Sequence, residues 1–132
     1  MAYEFNNYTI KTTLVAGESL TTAQYKFVKI SNADGKAYLV NGATDRPVGV
    51  LQNNPASGGE AEVVIAGGTK VYAGGTASAG QPLFADANAR AVVLGFGTTG
   101  SAAYNVGTFV TAAAASAVTT AVINCANAAR GL

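Results

Sequence analysis

Short runs of β-branched and aromatic residues, separated by turn signals, recur along almost the whole chain and constrain its fold more than any other feature. YTIKTTLV (8–15), YKFVKIS (25–31), KAYLV (36–40) and VGVLQ (48–52) are of this type, the composition of a pleated, half-buried strand. AEVVIA (61–66), TKVYA (69–73), ARAVVL (89–94), YNVGTFV (104–110) and VTTAVIN (118–124) continue the series. Between them lie Ala33-Asp34-Gly35, Asn41-Gly42, Asn53-Asn54-Pro55, Ser57-Gly58-Gly59 and Gly74-Gly75, residues that reverse the chain cheaply. Helical periodicity is hard to find. The alanine-rich 112–117 segment is shorter than a helix that is stable by itself and reads as a loop. Many short strands with 16 glycines predict an all-β fold, a small barrel or sandwich. At 132 residues the chain matches one domain and can bury a core without disulfides or metals. The one cysteine, Cys125, cannot form an internal bridge. Within AVINCANAA it reads as a small buried hydrophobe.

The chain also repeats itself. PVGVLQNNPASGGEAEVVIAG (47–67) aligns without gaps on NVGTFVTAAAASAVTTAVINC (105–125), with Val48-Gly49 on Val106-Gly107 and Val64-Ile65 on Val122-Ile123. FVKISNADGKAYLV (27–40) loosely echoes PLFADANARAVVL (82–94): a strand, an Ala-Asp turn and an apolar strand. These matches predict an internal pseudo-twofold repeat. The segments around Gly49 and Gly107 must then be equivalent strands. Residues 1–20 fall outside these matches and are expected to form an N-terminal arm or a first strand, with residues 21–132 as a single β domain. Tyr3, Phe5 and Tyr8 bring three aromatics into eight residues. Such anchors offer large contact area at little entropic cost, which makes them candidate contacts for an extended arm docking by strand addition.

The charge inventory narrows the function classes. Eight basic and seven acidic side chains leave a net charge of +1, too close to neutral for an electrostatic grip on nucleic acid or an anionic membrane. Lys26 and Lys29 fall on opposite faces of a strand, while Lys11, Lys36 and Lys70 are isolated; a nucleic-acid groove needs clustered charge and stacking aromatics. There is no histidine, the commonest general acid–base, and Cys125 has no evident activating base. The acids Glu4, Glu18, Asp34, Asp45, Glu60, Glu62 and Asp86 are scattered, so neither a metal cluster nor a catalytic pair is expected. Glu60 and Glu62 share a strand face, but GGEAEVVI reads as an exposed alternating strand. Gly74-Gly75-Thr76 and Gly95-Phe96-Gly97 lack the Lys-Ser/Thr ending of a phosphate loop and read as turns. No catalytic residue, cofactor or metal site is expected, and the chain is not expected to be an enzyme.

From Ala91 to Ala129 there is not one charged side chain. Exposed surface is normally rich in charge, so part of this third is expected to be buried within the domain or against a partner. Otherwise Thr, Asn, Ser and Gly supply its polarity. The N-terminus, with Glu4 and no apolar core, does not read as a secretory signal. No apolar stretch approaches the ~20 residues of a membrane span. Synthesis in the cytoplasm is expected.

In the middle of the chain, Q-Y-x-F-V (Gln24 to Val28), P-x-G-V-L-Q-N-x-P-x-x-G (Pro47 to Gly58) and V-x-A-G-G-x-x-x-A-G-x-x-L (Val71 to Leu83) follow in order. This series resembles the capsid cement, or head decoration, proteins of tailed bacteriophages over about residues 21–125. The uncharged last third departs from the family's usual character. The resemblance implies a small β-barrel or β-tulip on the outside of a virion. It implies a homotrimer at local threefold positions that bridges neighbouring major capsid protein subunits. A tail, fibre or other appendage subunit is the alternative, and a carbohydrate-binding module, suggested by aromatic and Asn-rich loops, is a third.

Overall fold

A computed structural model describes residues 9–95 and 103–130. The described residues hold eleven strands and no helix: β1 (Ile10–Val15), β2 (Phe27–Ile30), β3 (Ala37–Leu39), β4 (Gly49–Leu51), β5 (Glu60–Tyr72), β6 (Pro82–Ala85), β7 (Ala91–Val93), β8 (Tyr104–Asn105), β9 (Gly107–Phe109), β10 (Val118–Asn124) and β11 (Ala129–Arg130). Each expected run contains a strand, with two differences. AEVVIA and TKVYA merge into the 13-residue β5, because Gly67 and Gly68 between them continue the ladder with β10. YNVGTFV splits at Val106 into β8 and β9. The segment 112–117 is a loop, touched by one isolated bridge at Ala113.

One antiparallel sheet runs β3-β2-β4-β5-β10-β9-β6-β7, with β1 added to β5 and a separate β8–β11 pair. The order reads the same from either end once equivalent strands are exchanged, as an internal duplication requires. The register repeats as well. Val50 and Leu51 pair with Val64 and Val63, and Thr108 and Phe109 pair with Val122 and Ala121. Val28 lies opposite Gly49 and Leu39, and Leu83 opposite Gly107 and Val93. Gly49 and Gly107 are therefore equivalent, and for the same reason: a Cβ at either would overlap a carbonyl of the strand beside it, that of Val64 or of Val122.

The repeat reaches further toward the N-terminus than the sequence matches indicated. β1 lies against the first half of β5 with Val15 opposite Glu60, as the second half of β5 lies against β10 with Tyr72 opposite Val118. Ala16 then bridges to Ala37 and Ala73 to Ala91, both parallel. Each bridge closes a circuit of strands, β1-β5-β4-β2-β3 in the first half and β5-β10-β9-β6-β7 in the second. The sheet thus curls into two barrel-like halves that share the long strand β5.

The interiors correspond residue for residue. Leu20, Val28, Leu51 and Val63 fill the first half, and Ala77, Leu83, Phe109 and Ala121 take their places in the second. Three left-handed backbone positions also recur: Tyr25 (φ 67°) with Gly80 (88°), Gly35 (72°) with Ala89 (63°), and Gly58 (85°) with Ser116 (64°). The equivalence of the first and third pairs follows from matching hydrogen bonds. Gly58 N–H donates to Ala16 O as Ser116 N–H does to Ala73 O, and Tyr25 N–H donates to Leu51 O as Gly80 N–H does to Phe109 O.

Candidate functional site

Several sequence candidates resolve into structural roles. Cys125 is buried, its N–H donating to Ile65 O at 3.0 Å. Burial pushes its thiol up to about 12, so little thiolate exists near neutral pH. Glu60 and Glu62 stand exposed on an alternating strand, across from Val15 and Thr13. Gly74 packs tightly over Arg90 and Val92, a close approach of chain segments rather than an anion cradle. Among the described residues, no three metal-ligating side chains cluster, and no helix is long and apolar enough to cross a membrane. Tyr3, Phe5 and Tyr8 lie outside the described residues.

A polar cleft of about 470 Å³ opens beside β2 and β3, lined in part by Glu18, Lys29, Ile30, Tyr38, Asp45 and Arg46. Two of its charges are engaged with one another. Lys29 Nζ donates to Asp45 Oδ2 and Asn41 Oδ1, both at 2.8 Å. Asp45 also accepts the N–H groups of Asn41 and Gly42 at 3.1 Å. The Lys29 ammonium and these backbone donors outweigh desolvation and hold the Asp45 carboxyl below its ordinary range. Tyr38 Oη donates to Asp34 Oδ2 at 2.6 Å, the main reason the Asp34 carboxyl is held low. Glu18 Oε2 accepts Leu39 N–H at 3.3 Å. These pairs lock the 34–45 loops onto β2.

The contact between the two halves is the more informative surface. Phe27, Val50 and Val64 point away from the interior of the first half, yet are 0%, 0% and 1% exposed because they join the core of the second. Phe27 N–H donates to Ala89 O at 2.9 Å and Tyr72 N–H to Tyr25 O at 2.8 Å. Lys26 stands over the Tyr72 ring and Lys70 over the Tyr25 ring, at 5.1 and 5.7 Å, a reciprocal pair of cation–π contacts. Gln52 Nε2 donates to Thr69 Oγ1 at 2.9 Å. One side of the first half is thereby covered by the opposite side of the second.

The corresponding outer sides are more open among the described residues. The counterparts of Phe27, Val50 and Val64 are Pro82, half-buried, Thr108, exposed, and Val122, 46% exposed. Leu94, the counterpart of Val40, is buried as Val40 is. At the other end, Val15 and Ile30 are each 47% exposed, whereas their counterparts Tyr72 and Ala85 are half-buried and buried. The uncharged third divides accordingly. Val106, Phe109, Ala121 and Ile123 sink into the core, while Thr108, Ala114, Val118, Val122 and Asn124 form exposed surface without charge. Both outcomes expected for that third occur together. The sequence alignment already paired Val64 with Val122, but no local signal shows that one is buried and the other open.

Comparison with known proteins agrees with this architecture. No curated protein matches the chain. Among solved structures, the fold is similar to "The crystal structure of head fiber gp8.5 N base in bacteriophage phi29", with a TM-score of 0.65 and 19% identity. That likeness covers 94% of this chain and 98% of the other. The model of the phage cement protein family matches residues 6–124, beyond the span of the sequence motifs at the N-terminus and into the uncharged third as far as Asn124. The chain belongs to the phage cement protein family.

Proposed function

We propose that this protein is a cement subunit on the outer surface of a phage capsid, where it bridges neighbouring major capsid protein subunits and stabilises the shell. The observation that carries the reading is the family match over nearly the whole chain, which makes the protein a capsid-associated phage structural protein. The fold supplies what a clamp needs. It is a β scaffold with two buried apolar clusters, and its last third presents exposed surface free of charge, the composition expected at the centre of a contact patch. A trimer at local threefold positions would engage several subunits at once, and repeated small contacts combine into high avidity. Stabilisation then comes from buried interface area and needs no reaction.

Purified protein mixed with expanded shells that lack it should bind saturably and raise their melting temperature. Failure to co-sediment with such shells would end this reading. A fibre base is a second reading, favoured by the fold likeness to the head-fibre base. Antibody labelling of whole particles separates the two. A cement protein is labelled over the shell with no filament projecting from the labelled sites; a fibre base is labelled at the foot of each filament. Label confined to one vertex would indicate a tail component.

A further inference from the structure

The duplication leaves the molecule with two unused halves of one contact. Inside the chain, a leading side of the second half (Tyr72, Ala85, Ala89) covers a trailing side of the first (Phe27, Val50, Val64). Among the described residues, the leading side of the first half and the trailing side of the second have no partner half. Five large hydrophobic side chains are exposed among the described residues: Ile10, Val15, Ile30, Val118 and Val122. Three of them, Val15, Ile30 and Val122, occupy positions whose counterparts take part in the internal contact.

We infer that a second copy of this chain docks head to tail, its first half's leading side (Val15, Ile30) seated on the trailing side of the second half (Thr108, Val122). The intermolecular contact repeats the one already built between the halves. This deepens the self-association within the proposed function and rests on that reading only for its biological setting.

Two substitutions make the intermolecular version weaker than its template. Pro82 stands where Phe27 donates to Ala89 O, and proline has no N–H to give. Thr108 stands where Val50 is fully buried, which removes apolar area from the patch. Terminal repeats of tandem proteins carry such changes, which restrain indefinite growth. Because the two sides differ, the contact is heterologous: it closes into a ring if the rotation allows and otherwise grows as a filament. A ring of three copies would place six equivalent halves around its axis.

Analytical ultracentrifugation up to about 1 mM, the weak end of specific association, tests this with the full chain and two variants, Ile30→Asp and Val122→Asp. The wild type should associate with rising concentration, and each variant alone should sediment as a monomer with an unchanged circular dichroism spectrum. Each variant keeps one intact side, so a mixture of the two should form a 1:1 dimer that grows no further. Ile30→Ser and Val122→Ser serve the same purpose if either aspartate variant fails to fold. A wild type that stays monomeric throughout overturns the inference. So does association that survives either substitution, or a mixture that stays monomeric, since a symmetric contact would give that result. Shell co-sedimentation reads the cement function separately. Head-to-tail association without shell binding removes that function and leaves this contact standing; shell binding by a permanent monomer does the reverse.

Discussion

At the scale of single residues, the duplication works as a built-in mutational comparison. The cross-strand pair Leu51 and Val63 of the first half becomes Phe109 and Ala121 in the second. One side chain grows while its neighbour shrinks, and all four are 0% exposed. Cores tolerate such swaps when total volume is kept. Phe109→Leu alone should leave a cavity and Ala121→Val alone should overpack, each costing about 1–3 kcal/mol. The double variant, which transplants the first half's pair, should cost less than the sum by about 1 kcal/mol in urea unfolding. Backbone positions offer a second comparison. Gly58 and Ser116 share a left-handed conformation, which disfavours any side chain with a Cβ. Ser116→Gly should stabilise by about 0.5–1 kcal/mol and Gly58→Ser should destabilise by a similar amount, measured by chemical denaturation. A Cβ at Gly49 or Gly107 meets a carbonyl instead, so Gly49→Ala and Gly107→Ala should each cost about 2–3 kcal/mol.

Elements are fixed by pairs that lie outside the core. The hairpin of β2 and β3 is tied to the 41–45 loop by Lys29 and Asp45, with side chains 25% and 27% exposed. Folding lowers the Asp45 carboxyl below its ordinary 3.8, first through Lys29. A carboxyl whose folded value is depressed contributes stability that is present above its unfolded value and lost as pH falls through the folded one. Asp45→Asn should therefore lower stability by about 1 kcal/mol at neutral pH. The difference from the wild type should shrink as pH falls below 3.8 and through the lowered folded value, as thermal melts across pH 2–7 would show. The matching hairpin of β6 and β7 is held instead by Asp86. It receives Arg90 Nε and Nη2 at 3.0 and 2.8 Å and also caps its own turn through Asn88 N–H. Two halves of one design thus secure equivalent hairpins with different residues.

For the whole molecule, the shared core decides how it unfolds. Phe27, Val50 and Val64 belong to the first half by chain order but to the second by packing, and β5 serves both circuits. Unfolding one half exposes the core of the other. A single calorimetric transition with equal van't Hoff and calorimetric enthalpies is the expected result; two resolved transitions would mean that the halves are independent. The same arrangement leaves Val15, Ile30 and Val122 exposed at the outer sides of the tandem among the described residues.

How much was legible in the sequence differs by kind of feature. Strand positions were readable because β-branched runs and turn residues act locally: VTTAVIN is β10 to the residue. The repeat was readable around Val48-Gly49 and Val106-Gly107, where the same close approach to a neighbouring carbonyl holds both glycines. It was not readable across β1, whose outward positions Lys11, Thr13 and Val15 face solvent while Lys70 and Tyr72 meet the other half. Different surroundings selected different residues there and erased the likeness. The aromatic contacts expected at Tyr3, Phe5 and Tyr8 lie outside the described residues and are a proposal still. The amino-acid sequence alone determined an all-β chain, its duplication and its family resemblance, since these rest on local preference and ordered motifs. Only the tertiary structure decided which of two equivalent valines, Val64 or Val122, is buried. Burial is set by which half packs over which, and that is a property of the assembled chain rather than of either residue's neighbours in sequence.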